Sequence, residues 1–219
     1  MELYFSPLSC SLATRIALYE AGASADFIEV DPRSKRTSRG EDFWAINPLG
    51  LVPTLRIDEQ TVLTENAAIL QYVARRFPDA LLSPGHEPGR MRLQQWLCFI
   101  GTELHKGLFK PLLDKHAPEA VRQYARDKYL SRLDAVERQL TGREFLLDRF
   151  SVADAYLLAV LNWAAVTAID LRRWPAIQAY AHRLRERPAV ARAMSEERDL
   201  YMKEQTRHAQ AQAQAEAQG

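Results

Sequence analysis

The stretch SVADAYLLAVLNWAAV, residues 151–166, is apolar on nearly every side of a helix. A helix without a polar face has to be enclosed by other elements, so this segment predicts the central helix of a bundle. Ser151 with Asp154 three residues on is a capping-box type of start for it, a structural role. Around it, Leu93, Trp96, Leu97, Ile100 and Leu104 recur at helical spacing, as do Tyr129, Leu133, Val136 and Leu140. In RRWPAIQAYAHRLRERPAV, Pro175 falls at a helix start and Pro188 just past its end. No convincing strand follows residue 90.

The first 77 residues have a different texture. ELYF, DFIEV, VPTLRI and TVL are short β-rich runs, and between them lie a helix over 12–22 closed by Gly22, an irregular or helical stretch, the turn DEQ, and a helix from Glu65 to Phe77. A βαβ unit followed by a hairpin and a final helix is a small α/β sandwich with a mixed sheet, the thioredoxin plan. FPDALLSPGHEPGR, with three prolines and two glycines, reads as a linker. The expected fold is a thioredoxin-like α/β domain over 1–77, a linker over 78–89, an all-α helical domain over 90–205 and a low-complexity tail over 206–219. The tail, RHAQAQAQAEAQG at its end, lacks an apolar face and reads as frayed helix or disordered chain.

At 219 residues, 47% of them hydrophobic, the chain can bury one or two proper cores. A net charge of +1 gives no field that favours nucleic acid or an anionic membrane, so a small-molecule or protein partner is expected. MELYFS lacks the basic and apolar regions of a signal peptide, and no apolar run approaches a membrane span. The expected location is cytoplasmic. Two cysteines, Cys10 and Cys98, make neither a disulfide framework nor a zinc site, and no metal is expected.

Cys10, in SPLSCSLATR, lies where the first strand gives way to a helix. A free thiol titrates near 8.5, and a drop of about two units needs roughly 2.7 kcal/mol. A helix N-terminus contributes about 0.3 to 1 kcal/mol, or up to about 2 when partly buried. The hydroxyls of Ser9 and Ser11 and the unpaired amides of the first turn can donate to the sulfur and together allow such a shift; the alternative is a buried, structural cysteine. Position 13 is alanine and position 7 proline, so there is no CxxC partner. If the thiol does redox chemistry, its second sulfur comes from outside the chain.

NPLGLVPTL places Val52-Pro53 between two strands, a natural position for a cis peptide. Such a bend turns the Val52 amide and carbonyl outward, where they can pair with an extended peptide-like ligand; the structural alternative is a plain turn. In LTENAAILQYVARRF, Glu65 and Asn66 lie at a helix start. Helix amides there bind a carboxylate while a carboxylate side chain holds an ammonium, which together suit an amino-acid head group. At about 100° per residue, Gln94, Cys98, Gly101 and His105 form a stripe along the flank of the apolar face of their helix, and His105 suits the lining of a cleft between domains.

YFSPLSCSLATRIAL, INPLGLVPTL, LTENAAILQYVARRFP and FSVADAYLLAVL, in that order over residues 1 to about 200, resemble the cytosolic glutathione S-transferases. SPLSCS with ELHKG is similar to their bacterial beta class, which carries a cysteine where other classes use tyrosine or serine. The resemblance implies glutathione as a substrate, a small apolar electrophile as its partner, and a homodimer. It implies a catalytic group of Cys10, Ser11 and His105, with Cys10 beside the glutathione sulfur and able to form a mixed disulfide with it. Val52, before Pro53, would pair with the cysteinyl part, Glu65 and Asn66 would hold the γ-glutamyl head, and Lys35 would meet the glycyl carboxylate. Glu103 and His105 would approach from the helical domain, and Lys106, Phe109, Leu112, Leu113 and Trp163 would line the electrophile pocket. Cys98 stands where many beta-class members have asparagine, and a thiol cannot replace the hydrogen bonds of an amide. The resemblance places Cys98 among the glutathione-binding residues; the expectation for it is a buried, inert thiol, and the alternative is a second thiol near the cleft. Folds of this kind also serve as non-catalytic adaptors or carriers of apolar ligands, the alternative reading.

Overall fold

The computed structural model describes residues 1–218. Its order is β1 (Glu2–Phe5), α1 (Leu12–Glu20), β2 (Asp26–Glu29), α2 (Phe43–Ile46), β3 (Thr54–Arg56), β4 (Val62–Thr64) and α3 (Asn66–Arg76), and then helices alone. Those are α4 (Glu87–Phe99), a more widely wound helical segment (Ile100–Phe109), α5 (Lys110–Leu113), α6 (Glu119–Tyr129), α7 (Arg132–Leu140), α8 (Val152–Leu161), α9 (Pro175–Arg185) and α10 (Pro188–Gln218). The protein is a thioredoxin-like domain followed by a helical domain. No helix among the described residues is long and apolar enough to cross a membrane.

The sheet order is β2-β1-β3-β4, with β1 parallel to β2 and antiparallel to β3, and β3 antiparallel to β4. Alternation along the strands divides the side chains. Leu3, Phe5 and Leu55 enter the main core, while Tyr4 and Ile28 enter a smaller one with Val30 and Phe43. The all-apolar segment is buried over α8, where it packs against α1, α3 and α4, and comes to the surface at Ala165 and Val166. Its start is fixed by Asp154, whose carboxylate accepts from the Ser151 N–H and hydroxyl at 2.9 and 2.8 Å, from the Leu146 N–H at 2.9 Å and from the Tyr180 hydroxyl at 2.9 Å.

Helix α1 lies between the sheet and the helical domain, so even its Arg15 is buried. That charge is held by Glu196 and Glu197 of α10 at 2.9 and 3.0 Å and stacks over the Phe5 and Phe27 rings. Glu197 also accepts the Leu8 backbone N–H at 2.7 Å. The final helix therefore reaches back to the loop before Cys10.

The linker read from breaker residues is shorter than expected. Helix α4 begins at Glu87, inside the expected linker, because Pro88 and Gly89 fall in its first turn, where a missing amide hydrogen costs nothing. His86 caps it, its Nδ1 accepting the Gly89 N–H at 3.1 Å. Of the two readings of the tail from residue 206, frayed helix or disordered chain, the helical one describes it. Helix α10 runs from Pro188 to Gln218, and the final Gly219 lies outside the described residues.

Candidate active site

A cleft of about 260 Å³ opens between the two domains, lined on one side by the starts of α1 and α3 and the chain before β3, and on the other by the helix through residues 97–106. The Cys10 sulfur donates to the Val52 carbonyl at 3.4 Å. The Cys10 carbonyl accepts from the Asn66 side-chain amide at 2.7 Å, and the Asn66 Oδ1 accepts from the Thr14 hydroxyl at 3.1 Å. Three motifs far apart in sequence are thus joined by side-chain hydrogen bonds. Asn66 commits its Oδ1 and one of its two side-chain N–H donors to this joint, and it lines the cleft with its backbone at the helix start.

The Val52-Pro53 peptide is cis, and both residues line the cleft. Among the described residues nothing accepts from the Val52 N–H. Glu65, the residue before α3, has φ 65° and ψ 120°, a conformation that costs a non-glycine residue about 1–3 kcal/mol and is concentrated at functional sites. The first helical bonds run from Ala68 and Ile69 to the Glu65 carbonyl, which leaves the Asn66 and Ala67 N–H groups outside the ladder. The exposed Glu65 carboxylate makes no cap with its own helix.

The opposite wall carries Leu97, Cys98, Gly101, Thr102, His105 and Lys106. Its winding is wider than an α-helix, with the Lys110 N–H donating to the His105 carbonyl five residues back. Gly107 permits this wall to approach α6, since a Cβ there would lie 2.6 Å from the Tyr129 ring. His105 is buried, its Nδ1 2.8 Å from the Tyr156 hydroxyl and its ring 5.0 Å from that of Trp163. Burial, reinforced by Lys106 and Lys110, pushes the His105 pKa down to about 4, so the imidazole is neutral at neutral pH. Burial also raises the Tyr156 phenol. Tyr156 keeps its proton and can donate it to Nδ1, which leaves His105 a proton on Nε2.

The expected lowering of the Cys10 pKa is reversed. Burial pushes it up to about 12, against the opposing pull of Lys106 and a backbone hydrogen bond. Relative to an ordinary thiol that is about 4 kcal/mol against the thiolate, more than the roughly 2 kcal/mol a helix start returns. Nor do the serines help the sulfur. The Ser9 and Ser11 hydroxyls bond each other at 2.7 Å, and Ser11 further donates to the Ser6 carbonyl at 3.2 Å. Cys10 is a protonated donor at neutral pH, and Ser11 braces its turn.

The glutathione S-transferase N-terminal domain family matches residues 9–76, and the corresponding C-terminal domain family matches residues 90–188. The chain is 40% identical over 199 residues to glutathione S-transferase GstA of Escherichia coli O157:H7, covering 90% of this chain and 98% of that one. A ternary complex of BphK, a bacterial glutathione S-transferase, superposes with TM-score 0.87 at 44% identity, covering 90% and 99% of the two chains. The beta-class glutathione S-transferase of Sphingomonas chungbukensis superposes with TM-score 0.85 at 40% identity, covering 90% and 98%. This chain belongs to the glutathione S-transferase family.

Within the transferase, several expected site residues lie away from the cleft. Glu103 turns to Arg132 of α7, with Oε2 2.8 Å from Nε. Phe109 and Trp163 meet edge to face in the core with ring centroids 6.0 Å apart, and the Trp163 indole N–H donates to the Leu8 carbonyl at 3.0 Å. Leu112 and Leu113 are half-buried against that core. None of these four forms a wall of the cleft; of the expected electrophile residues only Lys106 does. Lys35 stands outside the lining, its Nζ donating to the Gly50 carbonyl at 3.0 Å. Cys98, expected to be buried, is exposed and lines the cleft. Sequence reading missed Asn47, Leu49, Leu51, Thr64, Thr102 and Tyr156 as lining residues.

Proposed function

We propose that this transferase binds glutathione with its sulfur beside Cys10 and transfers it to small apolar electrophiles, as a cytoplasmic homodimer. The observation that carries this reading is the set of complementary groups in one cleft. The Val52 N–H lacks an acceptor, α3 offers free amides beside the Glu65 carboxylate, and the Cys10 thiol faces the Val52 carbonyl. An α-amino acid head fits the second group, its carboxylate on the amides and its ammonium on Glu65. The peptide edge of a cysteinyl residue fits Val52. Lys35, beside the Gly50 carbonyl, stands within the same neighbourhood to meet a terminal carboxylate.

A cysteinyl N–H that takes the Val52 carbonyl releases the Cys10 S–H, which then donates to the glutathione sulfur. With the positive charge of Lys106 and the Nε2–H of His105, this favours the thiolate of glutathione over its thiol. The thiolate attacks the electrophilic carbon, the leaving group departs with the bonding pair, and the proton goes to solvent: RX + GSH → GSR + HX. A glutathionylated disulfide can instead exchange with Cys10, giving Cys10–S–SG and a free thiol, and a second glutathione then releases GSSG and restores the Cys10 thiol. The half-buried and exposed apolar groups of the rim, among them Leu49 and Leu51, support an apolar second substrate; Met91 and Val62, also exposed, support burial against a second copy. Two unpaired cysteines suit a reducing compartment.

Titration calorimetry with glutathione, together with conjugation of a halogenated aromatic electrophile, tests the reading. Wild type should bind and turn over, and Glu65→Ala should bind about tenfold or more weakly. Absence of both binding and turnover in the wild type would overturn this reading and support the adaptor alternative.

A further inference from the structure

Far from the cleft, the end of α10 meets the loop that leaves β2. Glu204 and His208 are four residues apart and so share one face of the helix. Asp31 approaches them from the loop, its Oδ2 2.8 Å from the His208 Nε2. One ligand atom of each residue lies within 4.8 Å of the others. Glu204 is only 3% exposed, and its Oε1 is buried without a hydrogen-bond partner. The nearest strong cation, Arg207, is engaged by Glu29.

A buried carboxylate with an oxygen that lacks a hydrogen-bond partner, within 4.8 Å of a second carboxylate, costs several kcal/mol unless something positive or a proton lies between them. We propose that Asp31, Glu204 and His208 bind a divalent transition-metal ion of the zinc type, which ties the end of α10 to the loop carrying Lys35. Two carboxylate oxygens and one imidazole nitrogen are a donor set that suits zinc, whereas calcium and magnesium prefer oxygen alone. Tetrahedral ligands about 2.0–2.1 Å from zinc stand about 3.3 Å apart. The Glu204 oxygen therefore needs to close by at most about 1.5 Å, while the 2.8 Å His208–Asp31 contact opens by about half an ångström and exchanges its proton for the ion. Asp31 is also part of the loop's backbone: its carbonyl accepts the Lys35 N–H at 3.0 Å and its N–H donates to the Arg36 carbonyl at 2.9 Å. An ion on Asp31 would fix that loop.

Chelator-stripped full-length protein, titrated with Zn²⁺ and separately with Mg²⁺ by calorimetry, tests this directly. One Zn²⁺ per chain is expected, with Mg²⁺ at least a hundredfold weaker, and Zn²⁺ should raise the unfolding temperature. Glu204→Gln, which keeps the shape of the side chain, and His208→Gln should each weaken Zn²⁺ binding at least tenfold and remove the thermal shift, while Cys98→Ser should keep both. Circular dichroism of each variant checks that α10 is still helical. No binding by the wild type, equal binding by Glu204→Gln, or loss of binding in Cys98→Ser alone would overturn the assignment; the last would place the ion on the cleft thiols. Glutathione binding is measured independently, so failure here leaves the proposed activity standing.

Discussion

The Cys10 sulfur donates to the Val52 carbonyl at 3.4 Å, so the buried thiol of the cleft is parked on the backbone group that a peptide-like ligand would take. The thiol is a donor first and a nucleophile only after exchange. In the proposed binding mode Cys10→Ala removes one hydrogen bond to the glutathione sulfur, about 0.5–1.5 kcal/mol, and conjugation should fall roughly 2- to 12-fold. Reduction of a glutathionylated disulfide should be abolished, since the mixed disulfide cannot form. Steady-state rates with an aromatic halide and a glutathionylated peptide check both, and undiminished reduction would remove Cys10 from that step.

The two cysteines are predicted to part in their reactivity. Cys98 is exposed in the cleft wall, while Cys10 is buried with its pKa pushed up to about 12. Iodoacetamide at pH 7.5 should modify Cys98 first and leave Cys10 at least tenfold slower, since only the thiolate attacks. Peptide mass spectrometry over a time course reads the order. Faster labelling of Cys10 would mean that its thiolate is stabilised in solution after all.

His105 carries a pH signature in stability. Its pKa lies at about 4 when folded, against an ordinary value of 6.5. Between these values the unfolded chain binds a proton that the folded one refuses, so the contribution to stability is fully present above 6.5 and is lost as pH falls towards 4. The span corresponds to about 3 kcal/mol. His105→Gln lacks the titration. Urea unfolding of both proteins at pH 7 and pH 4.5 should therefore show the stability difference between wild type and variant shifting by about 2–3 kcal/mol in favour of the variant at the lower pH. A pH-independent difference would mean that His105 is not held neutral by its surroundings.

The legible parts of the site were those set by local sequence. Cys10 at a strand-to-helix turn, Val52-Pro53 between strands, and Glu65 at a helix start each declare themselves within ten residues, and the stripe through Cys98, Gly101 and His105 survives even the wider winding of its helix. Long-range effects were not legible. Glu103 is drawn off by Arg132, 29 residues further on. Tyr156 reads as core within an all-apolar helix, yet its hydroxyl reaches His105 across 51 residues. The raised pKa of Cys10 comes from burial by helices that no local motif announces. The end of α10, with no apolar face, holds its place on the fold partly through the Arg207–Glu29 and His208–Asp31 pairs, partners nearly two hundred residues away.

Glu197 joins the last helix to the loop before Cys10. Its carboxylate is buried, faces Arg15 at 3.0 Å and accepts the Leu8 N–H at 2.7 Å, while the Leu8 carbonyl accepts from Trp163. Leu8 is held at φ 57°, a conformation that costs a leucine about 1–3 kcal/mol and persists only where its surroundings enforce it. Glu197→Ala removes the acceptor and leaves Arg15 buried with Glu196 alone, a loss of about 3–5 kcal/mol. At roughly 2–4 °C per kcal/mol for a chain of this size, the unfolding temperature should fall by about 6–20 °C. Glu197→Gln keeps an acceptor for Leu8 and gives up only the charge, so it should fall less than Glu197→Ala and retain glutathione binding within a few-fold. Scanning calorimetry on the three proteins decides the matter, and a fall under about 3 °C for Glu197→Ala would show that Leu8 holds its conformation without α10.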